Sequence, residues 1–417
     1  MALALAFGAV LLLSVSLSGL AARTVLSTAL LFLLAGALLG PGVFGVVDLS
    51  LDTVSRLADI ALFTVLFTDG QRVSVQALRE GWRLSGRALL LGMPLIMVGV
   101  AVPVHFLAGL DWPTAFLIGA ILAPTDPVFA SIIVGREDIP LRLRRLLNVE
   151  SGLNDGLALP FVLLLIAAAA HESAHPLQVA GELALGLLFG VAIPLAISYA
   201  WRLRVFSAEP RLQPLGPLAI AVLLYAACHL THANPYLAAF VAGSTLATLD
   251  RTAVRRFHPF GDLLSELAKF GALLVFGALI TPDRITDLSW GAWAVAGLAI
   301  FLVRPTAILL SMLRTRLSPR ERAAAAWFGP KGFASVVYGL HALQSPIPHA
   351  EQVFDLVAIT IALSIVLHSS TDVPFAKLLR VRPPDNLPGG REETEEETGE
   401  QAGGETGETG LGARRLG

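Results

Sequence analysis

Residues 119–131 read GAILAPTDPVFAS, and they interrupt an apolar run that extends over 114–134. A run of that length can cross roughly 30 Å of hydrocarbon as a helix rising about 1.5 Å per residue. Yet Asp126 stands in it between Pro124 and Pro127, each of which lacks a backbone donor and obstructs the helical turn before it. With Thr125 beside them, these residues predict an unwound stretch at mid-membrane. Broken backbone at that depth is tolerated only where protein or a cavity satisfies it, and its freed carbonyls can coordinate cations.

Working outward, similar apolar runs fill the chain. It has 417 residues, 55% of them hydrophobic and 15% charged, against about 25% charged in an ordinary soluble domain. The mean hydropathy is +0.70. This composition excludes a soluble or secreted enzyme and predicts an all-α polytopic membrane protein. Spans are expected near 3–21, 25–45, 57–71, 88–108, 114–134, 146–170, 177–199, 213–230, 235–250, 262–281, 289–312, 323–342 and 351–375. The first 22 residues are read as a span rather than a signal peptide, because no basic residue precedes the apolar run. The single cysteine, Cys228, offers neither a disulfide nor a thiolate cluster.

The loops test that count. Twenty-two basic residues fall after odd-numbered spans, whereas the loops after even-numbered spans hold only Arg56 and Arg284. A missed or merged span would invert the alternation downstream, and it never inverts. The positive-inside rule then places the N-terminus outside and the C-terminus in the cytoplasm of a bacterial-type inner membrane. Residues 1–382 are expected to form the transmembrane domain, and 383–417, rich in Glu, Gly and Thr, a disordered acidic cytoplasmic tail. The basic residues are divided among short loops, so nucleic acid is not an expected partner.

Several charges remain at membrane depth: Asp126, Glu150, Asp155, Glu266, Lys269, Arg304 and Lys331. A lone central charge costs about 2.5–3.5 kcal/mol on insertion scales, so this many imply a protein-lined or water-filled cavity. The bland alternative is a set of ion pairs that only holds helices together. Against it stands a second break, Gly329, Pro330, Lys331 and Gly332, within WFGPKGFAS at 327–335. Spans five and twelve run in opposite directions through the bilayer. The two breaks therefore fit an inverted-topology repeat whose broken helices cross near the midplane. In NVESGLNDG, residues 148–156, Ser151 and Asp155 are i,i+4 neighbours, as are Glu150 and Asn154. Asp155 can thus approach the break and line one site with Asp126. Carboxylates with hydroxyl, amide and carbonyl oxygens suit Na⁺, K⁺ or H⁺ better than a soft metal. The histidine pairs His229/His232 and His171/His175 read as solvent-edge or hydrogen-bonded groups, and His368 as a candidate pH-responsive group.

GAILAPTDPVFAS and NVESGLNDG resemble the paired signatures of the NhaP-type sodium/proton antiporters, within the monovalent cation:proton antiporter group. LLGPGVFG, LFTDG, YLAAFVAGSTLA and the GPKG break fall in the family's order, so the likeness covers most of residues 5–375. The resemblance implies that Asp126 and Asp155 bind the ion, with Thr125, Ser151 and Asn154 nearby. It implies that Glu150 is a buried partner of Lys331 or of Arg304. Asn154 stands where electrogenic relatives place a second aspartate, which implies electroneutral exchange. It further implies a homodimer with a core bundle from spans 4–6 and 11–13, and a dimerisation domain from spans 1–3 and 8–10. Lys331 departs from the family's usual arginine and lacks its planar fork.

The expected activity is secondary active exchange of a monovalent cation for H⁺, with Na⁺ first, K⁺ or Li⁺ as alternatives, and no cofactor. The rivals are a K⁺/H⁺ antiporter, a gated cation channel using the same carboxylates, and an organic-anion/proton symporter drawn to Lys331 and Arg304. No nucleotide or redox fingerprint supports an enzyme or an ATP-driven pump.

Overall fold

Helix follows helix along the chain, and many of their starts are set by capping residues. The computed structural model describes residues 1–21, 27–47, 50–73, 84–126, 141–170, 176–201, 209 and 212–379. Pro127 and the second half of its break, His171, His175, the arginines at 79, 83, 136, 202, 204 and 211, and the tail 383–417 lie outside them.

In chain order the helices are α1 Ala2–Ala21, α2 Thr28–Leu39, α3 Leu51–Gln71, α4 Leu84–Ala108, α5 Trp112–Ile121, α6 Leu141–Ala169, α7 Pro176–Ala200 and α8 Leu215–Thr231. They continue as α9 Pro235–Leu249, α10 Arg251–Leu279, α11 Pro282–Thr286, α12 Trp290–Ser311, α13 Pro319–Trp327, α14 Phe333–Gln344 and α15 Ala350–Leu379. No strand occurs among the described residues. The side chains of Asp111, Asn234, Asp250 and Ser318 accept first-turn N–H groups of α5, α9, α10 and α13, satisfying donors that the helix itself leaves unpaired. Proline follows three of these caps at the first helical positions, where its missing N–H is not needed.

Among the described residues, five helical stretches are long and apolar enough to cross a membrane: Leu84–Ala108, Gly152–Ala169, Leu177–Ala200, Trp290–Ser311 and Ala350–Thr371. Five shorter apolar helices accompany them. The helices also outrun the apolar runs seen in sequence. α3 begins at Leu51, α6 at Leu141 and α10 at Arg251, ahead of the 57, 146 and 262 read from hydropathy. Hydropathy marks the stretch that lipid can cover, whereas a helix continues through polar residues until a cap such as Asp250 stops it. The run at 323–342 is two helices, α13 and α14, separated by residues 328–332.

α10 lies along α2 and α3, and α9 packs between α3 and α7 with α8 beside it. A second group joins α4 to α5, α5 to α6, α12 to α13 and α14 to α15. α14 meets α3 and α10, bringing the two groups together. Close approach of α2 and α10 depends on Gly36 and Gly277. A Cβ on Gly36 would stand 2.0 Å from the Leu274 carbonyl oxygen, and one on Gly277 2.2 Å from that of Leu33. Small residues of this kind let membrane helices pack backbone to backbone. Leu177, Phe106 and Leu230 are exposed on the outer surface, as lipid-facing residues are.

Candidate functional site

The site is built from helix ends. α5 stops at Ile121, and the chain runs non-helically through Pro124, Thr125 and Asp126. Its last carbonyls have no partner further along the chain, so side chains supply one: Ser335 Oγ donates to Ile121 O at 2.6 Å, and Lys331 Nζ donates to Leu122 O. The end of α13 is treated likewise. Arg304 Nη1 donates to Ala325 O at 3.3 Å and Ala326 O at 2.6 Å, and its Nη2 donates to Phe328 O at 3.0 Å. A π-helical turn, Ala299–Val303, immediately precedes Arg304 in α12. At the opposite polarity, the first N–H of α14, from Phe333, donates to Asp126 Oδ2 at 3.3 Å. The Asp126 N–H donates to Pro330 O at 3.1 Å, joining the non-helical segments directly. Cations thus cover helix C-termini and a carboxylate meets a helix N-terminus, the arrangement that the backbone dipoles favour.

Around this junction sit the residues singled out in sequence. Thr125, Asp126, Glu150, Asn154, Asp155, Arg304 and Lys331 are all buried. Asn154 Nδ2 donates to Thr125 Oγ1 at 2.8 Å, tying α6 to the break. Tyr338 OH donates to the Asp155 backbone carbonyl at 2.7 Å, fixing the same turn of α6 from α14. Asp155 Oδ1 and Asn154 Oδ1 are buried with no hydrogen-bond partner among the described residues. Asp155 lies within electrostatic reach of Asp126, Asp69 and Lys269. Ser151 falls in α6, but its side chain lies outside the described residues.

Two expectations are resolved by distance. Glu150 Oε1 meets Arg304 Nη2 at 3.5 Å, so its direct partner is Arg304, while the Lys331 ammonium reaches the α5 carbonyl end instead. A guanidinium can serve the carboxylate and three carbonyls together; an ammonium is a single compact charge. Gly329, Pro330 and Gly332 all fall in the non-helical segment between α13 and α14. Glu266, read as a charge at membrane depth, is on an exposed face of α10.

Two members lay outside the site as read in sequence. Lys269 of α10, read only as a charge at membrane depth, places its Nζ 3.4 Å from Asp126 Oδ1, with both side chains buried. Asp69 of α3, not singled out, is buried and bonded through Oδ1 to Arg72 Nη1 at 3.1 Å, and its Oδ2 has no partner among the described residues. The signal for Asp69 was an acidic residue at the end of the apolar run FTVLFTDG, which reads as the edge of a span. The described histidines lie beside the site rather than in it, His229 hydrogen-bonded as read in sequence. His368 is buried between Ser364 and the Trp327 carbonyl, and His229 is bonded to the Tyr225 carbonyl.

The donor set is oxygen: carboxylates, a threonine hydroxyl, an amide and peptide carbonyls. Among the described residues no three His, Cys, Asp or Glu side chains converge as a resident metal centre requires. Two buried oxygens without partners among the described residues, on Asp155 and Asn154, fit a small hard cation.

The comparisons with known proteins agree with this architecture. The sequence pattern of the sodium/hydrogen exchanger transmembrane family matches residues 9–378. The chain belongs to that family, a class of transporters rather than of enzymes. Among curated relatives, the K(+)/H(+) antiporter NhaP of Alkalimonas amylolytica is 24% identical over 388 residues, covering 91% of this chain and 67% of the relative. The K(+)/H(+) antiporter NhaP2 of Shewanella baltica (strain OS223) is 25% identical over 389 residues, covering 90% of this chain and 66% of the relative. The chain therefore spans about two thirds of the length of these relatives. A solved structure of the sodium proton antiporter MjNhaP1 from Methanocaldococcus jannaschii at pH 8 superposes with a TM-score of 0.74 at 21% identity, covering 91% of this chain and 100% of that one. The fold is the all-α polytopic membrane fold of these antiporters.

Proposed function

We propose that the protein is a secondary active antiporter exchanging a monovalent cation for H⁺ by alternating access. The observation that carries this reading is the Asp155 carboxylate, buried beside a non-helical segment with an oxygen that no group among the described residues satisfies and within electrostatic reach of Asp126. In the proposed mechanism Asp126 and Asp155 bind the ion, and Thr125, Ser151, Asn154 and freed carbonyls supply further oxygens. Cation and proton compete for the same carboxylates. Either load neutralises the site enough to cross, while the empty site, left negative at Asp155 even with Lys269 beside Asp126, resists crossing. That mutual exclusion couples the two fluxes.

K⁺ is better supported than Na⁺ as the cation, because the curated relatives matched over about nine tenths of the chain carry K(+)/H(+) in their names. The finer architecture belongs to the same proposal: thirteen spans, N-terminus outside and C-terminus inside a bacterial-type inner membrane, and two broken helices crossing within an inverted repeat. So do a homodimer, a core bundle of spans 4–6 and 11–13, and a dimerisation domain of spans 1–3 and 8–10. The packing of α3, α9 and α10 chiefly on one another and on α2 and α7, with α5, α13 and α15 in the other group and α6 meeting both, supports that division. Asn154, neutral beside Asp155, supports one charge out for one proton in.

The test is pH-gradient dequenching in proteoliposomes, titrated separately with K⁺, Na⁺ and Li⁺, with membrane potential clamped and unclamped. Wild-type protein is expected to move protons in response to the cation at rates independent of the clamp. Asp155→Asn is expected to fold and to lose exchange. Cation-driven proton movement by that variant sinks the mechanism, and a cation current without proton movement indicates a channel.

A further inference from the structure

Lys269 is a buried cation inside a site for cations. Its Nζ lies 3.4 Å from Asp126 Oδ1, and the two side chains are 6% and 2% exposed. Asp69 and Asp155 are also within its electrostatic reach, and Arg72 is the nearby like charge. A purely neutralising role would be met by a lysine from any adjacent helix. This one comes from α10, which packs along α2 and α3, whereas Asp126 follows α5, packed on α4 and α6. Asp126 is also tied by its backbone to Pro330, between α13 and α14. The ion pair therefore joins the two helix groups.

An ammonium is a compact monovalent charge on a flexible stem. A second monovalent cation arriving at the same carboxylate meets both an occupied acceptor and a like charge a few ångströms away. Like charges a few ångströms apart repel far more strongly in a buried site than in water, and an incoming ion would have to overcome that repulsion. The lysine must move for the ion to bind.

Resting on the antiport reading above, we infer that Lys269 is a tethered competitor for the transported cation and thereby a determinant of its affinity. With no cation loaded, its ammonium occupies the Asp126 side of the site and pins the unloaded core to the α10 group. A cation binding between Asp126 and Asp155 displaces the ammonium and releases that pin. Protein without the competitor binds its cation more tightly.

The experiment uses the full chain in proteoliposomes at alkaline pH, where protons compete least, with KCl and NaCl as the probes. Half-saturating concentration and maximal rate are read separately for wild type, Lys269→Gln, Lys269→Met and Lys269→Arg. The two neutral variants are expected to lower the half-saturating concentration at least ~5-fold, and Lys269→Arg to remain near wild type. A merely structural lysine would lower the maximal rate or the folded fraction without tightening the cation. Should the glutamine variant not fold, the methionine variant, which keeps the packing of the stem, gives the same reading. An unchanged or raised half-saturating concentration in a folded neutral variant overturns the inference. Wild-type protein that moves no protons in response to either salt defeats the antiport reading instead.

Discussion

Gly332 and Asp126 touch so closely that a Cβ added at 332 would stand 2.5 Å from the Asp126 Cβ and 2.9 Å from its backbone nitrogen. The two non-helical segments are joined here by the Asp126 N–H to Pro330 O bond and the Phe333 N–H to Asp126 Oδ2 bond. Gly332→Ala therefore forces the segments apart. Overpacking of this kind costs about 1–3 kcal/mol, and the displaced Asp126 no longer meets the N-terminus of α14. The expected result is a lower melting temperature in detergent and loss of cation-driven proton movement. Wild-type exchange in that variant would show that the close contact is not required.

Arg304 and Glu150 make a second prediction, about stability. Glu150→Gln leaves the guanidinium buried without its counter-charge, and breaking a buried pair on one side costs about 3–5 kcal/mol. Arg304→Lys keeps the charge but cannot reach Glu150 and the carbonyls of Ala325, Ala326 and Phe328 together. Both variants are expected to unfold at lower temperature than wild type, and the double replacement Glu150→Leu with Arg304→Met to recover part of the loss. A thermal melt of the four proteins checks this, since a double replacement that melts below both single variants would mean that the unpaired buried charge is not what destabilises them.

Much of the fold follows from local chemistry, and the parts that do not are contacts between distant segments. Apolar length places α4, α7, α12 and α15, and the prolines with glycine mark where α5 ends and where α13 and α14 separate. The i,i+4 spacing in α6 brings Asn154 and Asp155 to the break. Nothing in the spacing could assign Glu150 to Arg304 rather than Lys331, since both bases lie far along the chain and differ only in reach. Lys269 stands 143 residues from Asp126, so its role depends on how α10 packs. The start of α10 was illegible because RTAVRRFHPF is polar enough to read as a loop, although Asp250 caps it as helix.

That polar start carries a pH effect. His258 lies ahead of the apolar run of α10, and its Nδ1 meets Asp262 Oδ2 at 2.8 Å, while Arg72 Nη2 meets Asp262 Oδ1 at 2.9 Å. The hydrogen bond to Asp262 raises the His258 pKa above its ordinary value, against partial burial and the Arg72 charge. A raised folded-state pKa contributes stability that is fully present below about pH 6.5 and is lost as pH rises through the raised value. Wild-type protein is therefore expected to melt at a higher temperature on the acid side of that window, and His258→Gln to flatten the difference. Equal pH dependence in both proteins would remove His258 as its source.

The remaining prediction concerns Thr125, whose hydroxyl accepts the Asn154 amide at 2.8 Å. Valine has nearly the same shape, so Thr125→Val removes the oxygen without opening a cavity. It leaves a buried amide donor unpaired, at about 1–3 kcal/mol, and frees the Asn154 side chain to turn. If these oxygens serve the ion as proposed, the variant raises the half-saturating cation concentration more than it lowers the maximal rate. Thr125→Ser, which keeps the hydroxyl, restores wild-type affinity. If the hydroxyl only positions α6, the valine variant changes melting temperature and maximal rate while its half-saturating concentration stays where it was, and the serine variant again matches wild type. Titrating KCl against proton movement in the three proteins separates the two outcomes, because only an oxygen in the ion's own shell makes affinity follow the hydroxyl rather than the fold.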